Sequence, residues 1–235
     1  MLINDAIGHN QNVAPSTPFA DANCNISGPL LTSNDPNQLS AIFSDTDCAN
    51  CGASQLLATP FTPTNELFIS EICWVGGFLT GCTPTTFPDF VLTIYNDNGG
   101  VPDMPIEGPI TLVSEHVLTG TTLFGSDEIA SSASFDPILL TAGEQIWIGI
   151  HTNSDPGCSY FWEGSSTGGI IASTLDLGDT WRLSASGSQV SFFLGEFVPQ
   201  STPIPTLGEW GLICLSMVLL TFGIVAIRRE KVVLG

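Results

Sequence analysis

The groups best able to do chemistry in this chain are seven cysteines, an excess of carboxylates and three scattered histidines. The cysteines are Cys24, Cys48, Cys51, Cys73, Cys82, Cys158 and Cys214. Cys214 lies in a C-terminal apolar run, so the body holds six. An even count in an exported protein predicts disulfides, with the connectivity left open. Cys73 and Cys82 flank the Gly-rich "CWVGGFLTGC" and are placed to close a small loop. Cys48 and Cys51 form "CANC", which leaves Cys24 to reach Cys158. A redox reading of the Cys-x-x-Cys needs a βαβ context, and nothing nearby reads as a helix. A zinc reading needs a second such pair or clustered histidines, whereas His9, His116 and His151 are far apart. Structural disulfides are the expectation.

The sharpest local motif is "IYNDNGGVPDMPI". Asn98-Gly99 and Gly99-Gly100 suit turn positions that need a positive φ. Asp97 and Asp103 could add oxygen ligands for Ca²⁺, the one cofactor considered. The segment lacks the acidic spacing and distal Glu of an EF-hand loop, so turn geometry alone is the leading reading. Trp162 in "SYFWEGSS" and Trp181 in "LGDTWRLS" sit in polar, Gly-rich surroundings. They either fill the core or stack on sugar rings from loop tips. No Gly-x-Ser-x-Gly elbow marks a hydrolase nucleophile, and His116 and His151 read as strand-end side chains. Paired carboxylates of the glycosidase kind are uninformative where acids are so many. Phosphate loops, metalloprotease helices and basic nucleic-acid stripes do not occur in the sequence. No catalytic residue and no enzyme activity are expected.

Charge narrows the choice of partners. Of 23 acids only Glu209 and Glu230 fall late, so residues 1–206 hold 21 acids against Arg182 alone. Such a surface repels phosphate backbones and anionic lipid, which excludes nucleic acid as a partner, and it attracts cations.

The elements that must carry these groups divide at the C-terminus. From Trp210 to Ile227 the chain reads "WGLICLSMVLLTFGIVAI", without a charge. With Leu207, Gly208 and Glu209 it would make about 31 Å of helix at 1.5 Å per residue, matching a hydrocarbon core of roughly 30 Å. Pro205 breaks what precedes, and Thr206 with Glu209 forms a Thr-x-x-Glu capping box. Arg228, Arg229 and Lys231 follow at once and act as a membrane stop. A transmembrane helix over 207–227 with a basic cytoplasmic tail at 228–235 is therefore expected, with the body outside.

The stretch "IPTLGEWG" before that run, with Ile204, Pro205, Thr206, Leu207, Trp210 and Gly211, resembles the IPTL-CTERM protein-sorting domain. The resemblance implies a substrate of an exosortase-type membrane transpeptidase in the envelope of a Gram-negative-type bacterium. Cleavage near the signature would free the body or transfer it to another anchor, leaving it surface-attached or released. Export needs a leader, yet "MLINDAIGHNQNVAPSTPF" has neither a basic nor an apolar region of that kind. The expectation is a signal peptide encoded upstream of Met1, which the coding DNA would show.

Residues 1–35 read as an irregular lead-in, 36–198 as the main domain and 199–206 as a Pro/Thr linker. Short β-like runs separated by turn residues fill the main domain. In "FVLTIYN", Phe90, Leu92 and Ile94 share one face while Val91, Thr93 and Tyr95 share the other. "EQIWIGIH" places Ile146, Ile148 and Ile150 together with Trp147 opposite. The fold expected is all-β: an antiparallel β-sandwich or jelly-roll-like body plus the one C-terminal transmembrane helix. "DFVLTIYNDNGGVP", "LTAGEQIWIGIHT", "YFWEGS", "GDTW" and "VSFFLGEF" together resemble a β-sandwich domain of bacterial secreted proteins with PEP-CTERM-like tails. "VPDMP" departs from its more usual "VPG", and the extra cysteines imply a more heavily stapled member. The function expected is a non-catalytic surface or extracellular-matrix protein sorted through its tail. The alternative is a carbohydrate-binding or adhesive module, with or without dependence on Ca²⁺, with extracellular polysaccharide as partner.

Overall fold

Period-two alternation decides the architecture. A computed structural model describes residues 24–46, 54–79, 87–152, 158–184, 189–199, 211–212 and 214–220. The chain divides into two units, Met1–Val198 and Pro199–Gly235. Among the described residues the strands are Leu30–Ser33 (β1), Pro36–Phe43 (β2), Leu56–Phe61 (β3), Leu67–Phe78 (β4), Phe90–Asp97 (β5), Pro102–Leu112 (β6), Ser114–Leu123 (β7), Ser126–Leu140 (β8), Ile146–Thr152 (β9), Tyr160–Ser165 (β10), Ile171–Thr174 (β11), Arg182–Ser184 (β12) and Phe192–Glu196 (β13).

These strands build two sheets in which every strand pairing is antiparallel. One runs β12-β11-β3-β9-β5-β6 and is called the β9 sheet below. In the other, the β4 sheet, the long strand β4 pairs with β8 along one edge, and β8 pairs in turn with β7. Along its other edge β4 takes β13 at one end, followed by β1, and β10 at the other, followed by β2.

One hydrophobic cluster joins the facing sides of the two sheets. Phe90, Leu92, Ile94, Ile146, Ile148 and Ile150 meet Ile72, Trp74, Tyr160, Trp162 and Phe192. Each such side chain removed from water contributes about 1.5–3 kcal/mol before entropy is counted. Trp74 meets Phe90 edge-on at 5.0 Å, a geometry worth about 1 kcal/mol beyond the area buried. The alternate residues of the same strands point outward, and smaller clusters cover parts of those outer faces.

Prolines hid β6 from sequence reasoning. Pro102, Pro105 and Pro109 cannot donate to a ladder, so β6 pairs only with β5 and stands as the sheet edge, with repeated register shifts. Strand β1 likewise forms within the expected irregular lead-in, because β13 offers it a partner at Leu30, Thr32 and Ser33.

The C-terminal expectation needs correction. Among the described residues no helix is long and apolar enough to cross a membrane. The helix described takes in residues 211–212 and 214–220. At 1.5 Å per residue those nine residues make about 14 Å, less than half of what a hydrocarbon core requires. Ser216 donates back to the Leu212 carbonyl at 2.7 Å inside it. Among the described residues the transmembrane helix expected over 207–227 is therefore not found, and only a short helix is described. Apolar composition set that expectation, whereas spanning depends on continuous helical length.

Candidate functional site

Each outer face of the sandwich holds a carboxylate that its own strand positions. On the β9 sheet, alternation turns Tyr95 and Trp147 outward, side by side on β5 and β9. Ala58 and Ala172 on the neighbouring strands are small, which leaves room for the Trp181 ring to pack against this cluster. Trp181 meets Tyr95 edge-on at 5.3 Å. Asp97, at the end of β5, accepts hydrogen bonds at Oδ1 from Trp147 Nε1 and Gln145 Nε2, both at 2.7 Å, and at Oδ2 from Gly100 N at 3.1 Å. Desolvation raises its pKa, but these three donors outweigh that and hold the carboxyl below its ordinary value. Asp97 is therefore a brace between the turn and Trp147.

The β4 sheet treats its carboxylates differently. Tyr160 and Trp162 face the core, so Phe161 and Glu163 of β10 face outward. Glu128 of β8 lies beside Glu163, and both are wholly buried. Two glycines of β4 permit this. A Cβ on Gly76 would lie 2.3 Å from the Phe161 carbonyl, and one on Gly77 would lie 2.8 Å from both the Asp127 carbonyl and the Phe161 ring. The strands that flank β4 can then close together.

A bulge between Leu118 and Thr122 brings Thr121 of β7 to Glu128. Thr121 Oγ1 donates to Glu128 Oε2 at 2.6 Å. From the opposite side, Gln38 of β2, held at φ 55°, donates its backbone N–H to Glu163 Oε1 at 2.6 Å. Its side-chain amide lies 3.5 Å from Glu128 Oε1 and 3.4 Å from Thr121 Oγ1. Glu163 Oε2 is buried and receives no N–H or hydroxyl among the described residues, leaving the Glu128 carboxyl as its neighbour. Burial first, then the Glu128 charge and carboxyl contact, push Glu163 up to about 10 against the single Gln38 N–H.

Among the described residues, no three or more His, Cys, Asp or Glu side chains gather as a metal cluster. Asp103 is exposed on β6. The two tryptophans part company. Trp162 is fully buried and donates its N–H to the Ser191 carbonyl at 2.7 Å, so it is a core side chain and offers no surface to a ligand. Trp181 stays half-buried on the outer face. The connection that carries it is ordered by Asp176, which accepts from Thr174 Oγ1 and, at 2.8 Å, from Thr180 N.

The two described histidines sit in different surroundings. His116 stacks on Phe87 at 4.2 Å, and its ring nitrogens face the hydroxyls of Ser131 at 2.9 Å and Ser114 at 3.3 Å. His151 is held down to about 4 by burial, with the Asp45 charge opposing.

The expected cysteine pairing is also corrected. Cys24 bonds Cys73, with Cα atoms 5.7 Å apart, which rules out both Cys24–Cys158 and Cys73–Cys82. Cys73 points outward from β4, onto the face that the chain around Cys24 and Ile26 covers. Sheet geometry chose the partner where sequence proximity suggested another. Glu71, two residues earlier, clamps the same segment by accepting from Ser27 N, Ser27 Oγ and Gly28 N. Cys158 is disulfide-bonded to a partner outside the described residues. Cys48, Cys51 and Cys82 lie outside them too, as do Ile204, Pro205, Thr206, Leu207, Trp210, Arg228, Arg229 and Lys231. Gly211 is the first described residue of the short helix.

Sequence reasoning missed Glu128, Glu163, Gln38 and Thr121 as a group. One usable signal was present, because an acid among the aromatics of "YFWEGS" falls where a strand buries both of its faces.

Fold and site define an antiparallel β-sandwich with a stapled outer face. Residues 202–229 match the IPTL-CTERM motif, so the chain carries an IPTL-CTERM sorting motif in its C-terminal part. That motif is the C-terminal sorting signal of an exported, envelope-associated protein. No curated protein and no solved structure matches the chain.

Proposed function

We propose that this chain is a non-catalytic surface or extracellular-matrix protein whose β-sandwich works outside the cytoplasmic membrane. An exosortase-type transpeptidase recognises the IPTL-CTERM segment and cuts near it, leaving the body surface-attached or released. The observation that carries this reading is the motif match at 202–229, which begins six residues after β13 ends at Glu196. A protease or transpeptidase needs a segment beyond a folded body, and in sequence the motif lies past the last strand. The Cys24–Cys73 bond suits an oxidising compartment. Mass spectrometry of the mature protein's C-terminus tests the reading. Loss of residues 212–235 is expected, and their retention in the mature protein contradicts it.

Carbohydrate binding is a second reading, favoured only by Trp181. Its half-buried ring lies on the outer face against Tyr95, where a sugar ring could stack. A glycan array probed with and without Ca²⁺ tests it. Binding abolished by Trp181→Ala supports this reading, and no binding under either condition removes it.

A further inference from the structure

We propose that Thr121 and Gln38 condense into an intramolecular ester that ties β7 to β2, with Glu128 as the general base. The proposal goes beyond the sorting reading and stands whether or not the tail is cut.

No ladder links the two strands it would join. Among the described residues β2 pairs with β10 and β7 with β8, on opposite sides of β4. Yet a carboxamide, a hydroxyl and two carboxyls from these four strands meet between them. Each reacting group is held by its own backbone. The Asn37 side-chain oxygen accepts from Leu39 N at 2.8 Å and Ser40 N at 3.0 Å, which pins Gln38 at φ 55°, a conformation uncommon for a residue with a side chain. The Gln38 N–H is tied to Glu163 Oε1 at 2.6 Å. On β7, Gly120 at φ 84° turns the bulge that delivers Thr121.

Thr121 Oγ1 donates to Glu128 Oε2 at 2.6 Å, the contact by which a base activates a hydroxyl. The Gln38 amide nitrogen stands 3.4 Å from the same Oγ1, so its carbonyl carbon lies within about one bond length of attacking range. That nitrogen is also 3.5 Å from Glu128 Oε1, from which a leaving amine can take a proton. Beside Glu128, the buried Glu163 carries a proton that burial and the neighbouring carboxyl hold on it. Glu163 is a positioning residue and does not touch the reacting atoms. Residues 1–230 contain no lysine, so a hydroxyl rather than an amine is the nucleophile at hand.

The step needs no outside reagent. Thr121 gives its proton to Glu128 Oε2 as Oγ1 bonds to Gln38 Cδ. The carboxyl pair, now holding two protons, returns one to the amide nitrogen through Glu128 Oε1. The Cδ–N bond breaks, ammonia leaves, and the pair keeps the single proton it began with.

The test is intact-mass spectrometry of the purified full chain, reduced and denatured. It should be lighter than its sequence by one ammonia, and chymotryptic digestion should yield one peptide pair joined through Gln38 and Thr121. Hydroxylamine, which opens esters and spares amides, should separate that pair. Thr121→Ser should still form the bond. Thr121→Val should keep the full mass and unfold at a lower Tm than the cross-linked parent. Glu128→Gln should slow the loss of ammonia by at least about 100-fold. Glu163→Gln keeps an acceptor for the Gln38 N–H and should slow it about tenfold at a Tm close to that of Thr121→Val, whereas a purely structural role would lower Tm and leave the rate alone. Full mass in the parent after prolonged incubation at neutral pH overturns the proposal. Ammonia loss from Gln38 that survives in Thr121→Val, a joined pair that resists hydroxylamine, or conversion of Gln38 to Glu with no cross-link overturns it equally.

Discussion

Asp97 and Glu163 each sit on an outer face of the sandwich, and the two faces hold them in opposite states. Asp97 receives three donors and stays ionised below the usual range, although desolvation works against it. Glu163 receives one, lies against another carboxyl and is pushed far above that range. Burial weighs first on both groups. At Asp97 the N–H groups of Gly100, Gln145 and Trp147 overcome it, whereas at Glu163 it is far greater and the single Gln38 N–H does not.

The covers differ as well, and their removal should rank accordingly. The β4 sheet's outer face is closed covalently by Cys24–Cys73, which spans 49 residues. Loop-closure entropy puts that bond at about 4 kcal/mol, so the double variant Cys24→Ala/Cys73→Ala should lose a Tm on the order of 10 °C. Differential scanning calorimetry reads this directly, and an unchanged Tm would mean that Glu71 and its three hydrogen bonds hold the segment unaided. Asp97→Ala comes next. It leaves the buried Trp147 N–H and the Gln145 amide without their acceptor and should cost about 2 kcal/mol in urea unfolding. Asp97→Asn should cost less, because its carbonyl oxygen can still accept from Trp147.

On the β9 sheet the cover is a single half-buried ring. Trp181→Ala should destabilise by about 1 kcal/mol, with near-UV circular dichroism of Tyr95 changing and the core signal intact. A larger loss would make Trp181 part of the core. The smallest effect is a slope with pH. His151 ionises near 4 in the fold and near 6.5 when unfolded, so the unfolded chain takes up the extra proton. Stability should be fully present above 6.5 and fall as pH drops from 6.5 towards 4. His151→Gln should flatten that segment of the curve, and a slope unaltered by the substitution would assign it elsewhere.

Much of the sandwich was legible from alternation alone. Phe90, Leu92, Ile94 and Ile146, Ile148, Ile150 share the inner face as their spacing requires. Strands β11 and β12 were not legible, since four and three residues carry too little period. The cysteine partners were not legible either. Whether Cys73 meets Cys82 or Cys24 depends on which face of β4 it occupies and what crosses that face. Trp162 and Trp181 have similar neighbours in sequence, yet register sends one into the core and the other onto the surface. Glu128 and Glu163 are brought together by the sheet; the aromatics of "YFWEGS" set Glu163 apart, whereas nothing local distinguishes Glu128 from the other acids that precede the tail. The sorting signature was readable because recognition there is of a linear motif, which survives without any knowledge of the fold.

The contrast between Asp97 and Glu163 is tested most directly by ¹³C NMR titration of the two side-chain carboxyl carbons in protein kept free of divalent ions. Asp97 should remain ionised down to below 3.8, and Glu163 should pass through 4.5 unchanged and lose its proton only as pH approaches about 10. Ionisation of Glu163 at or below 4.5, or of Asp97 above 3.8, would contradict the account.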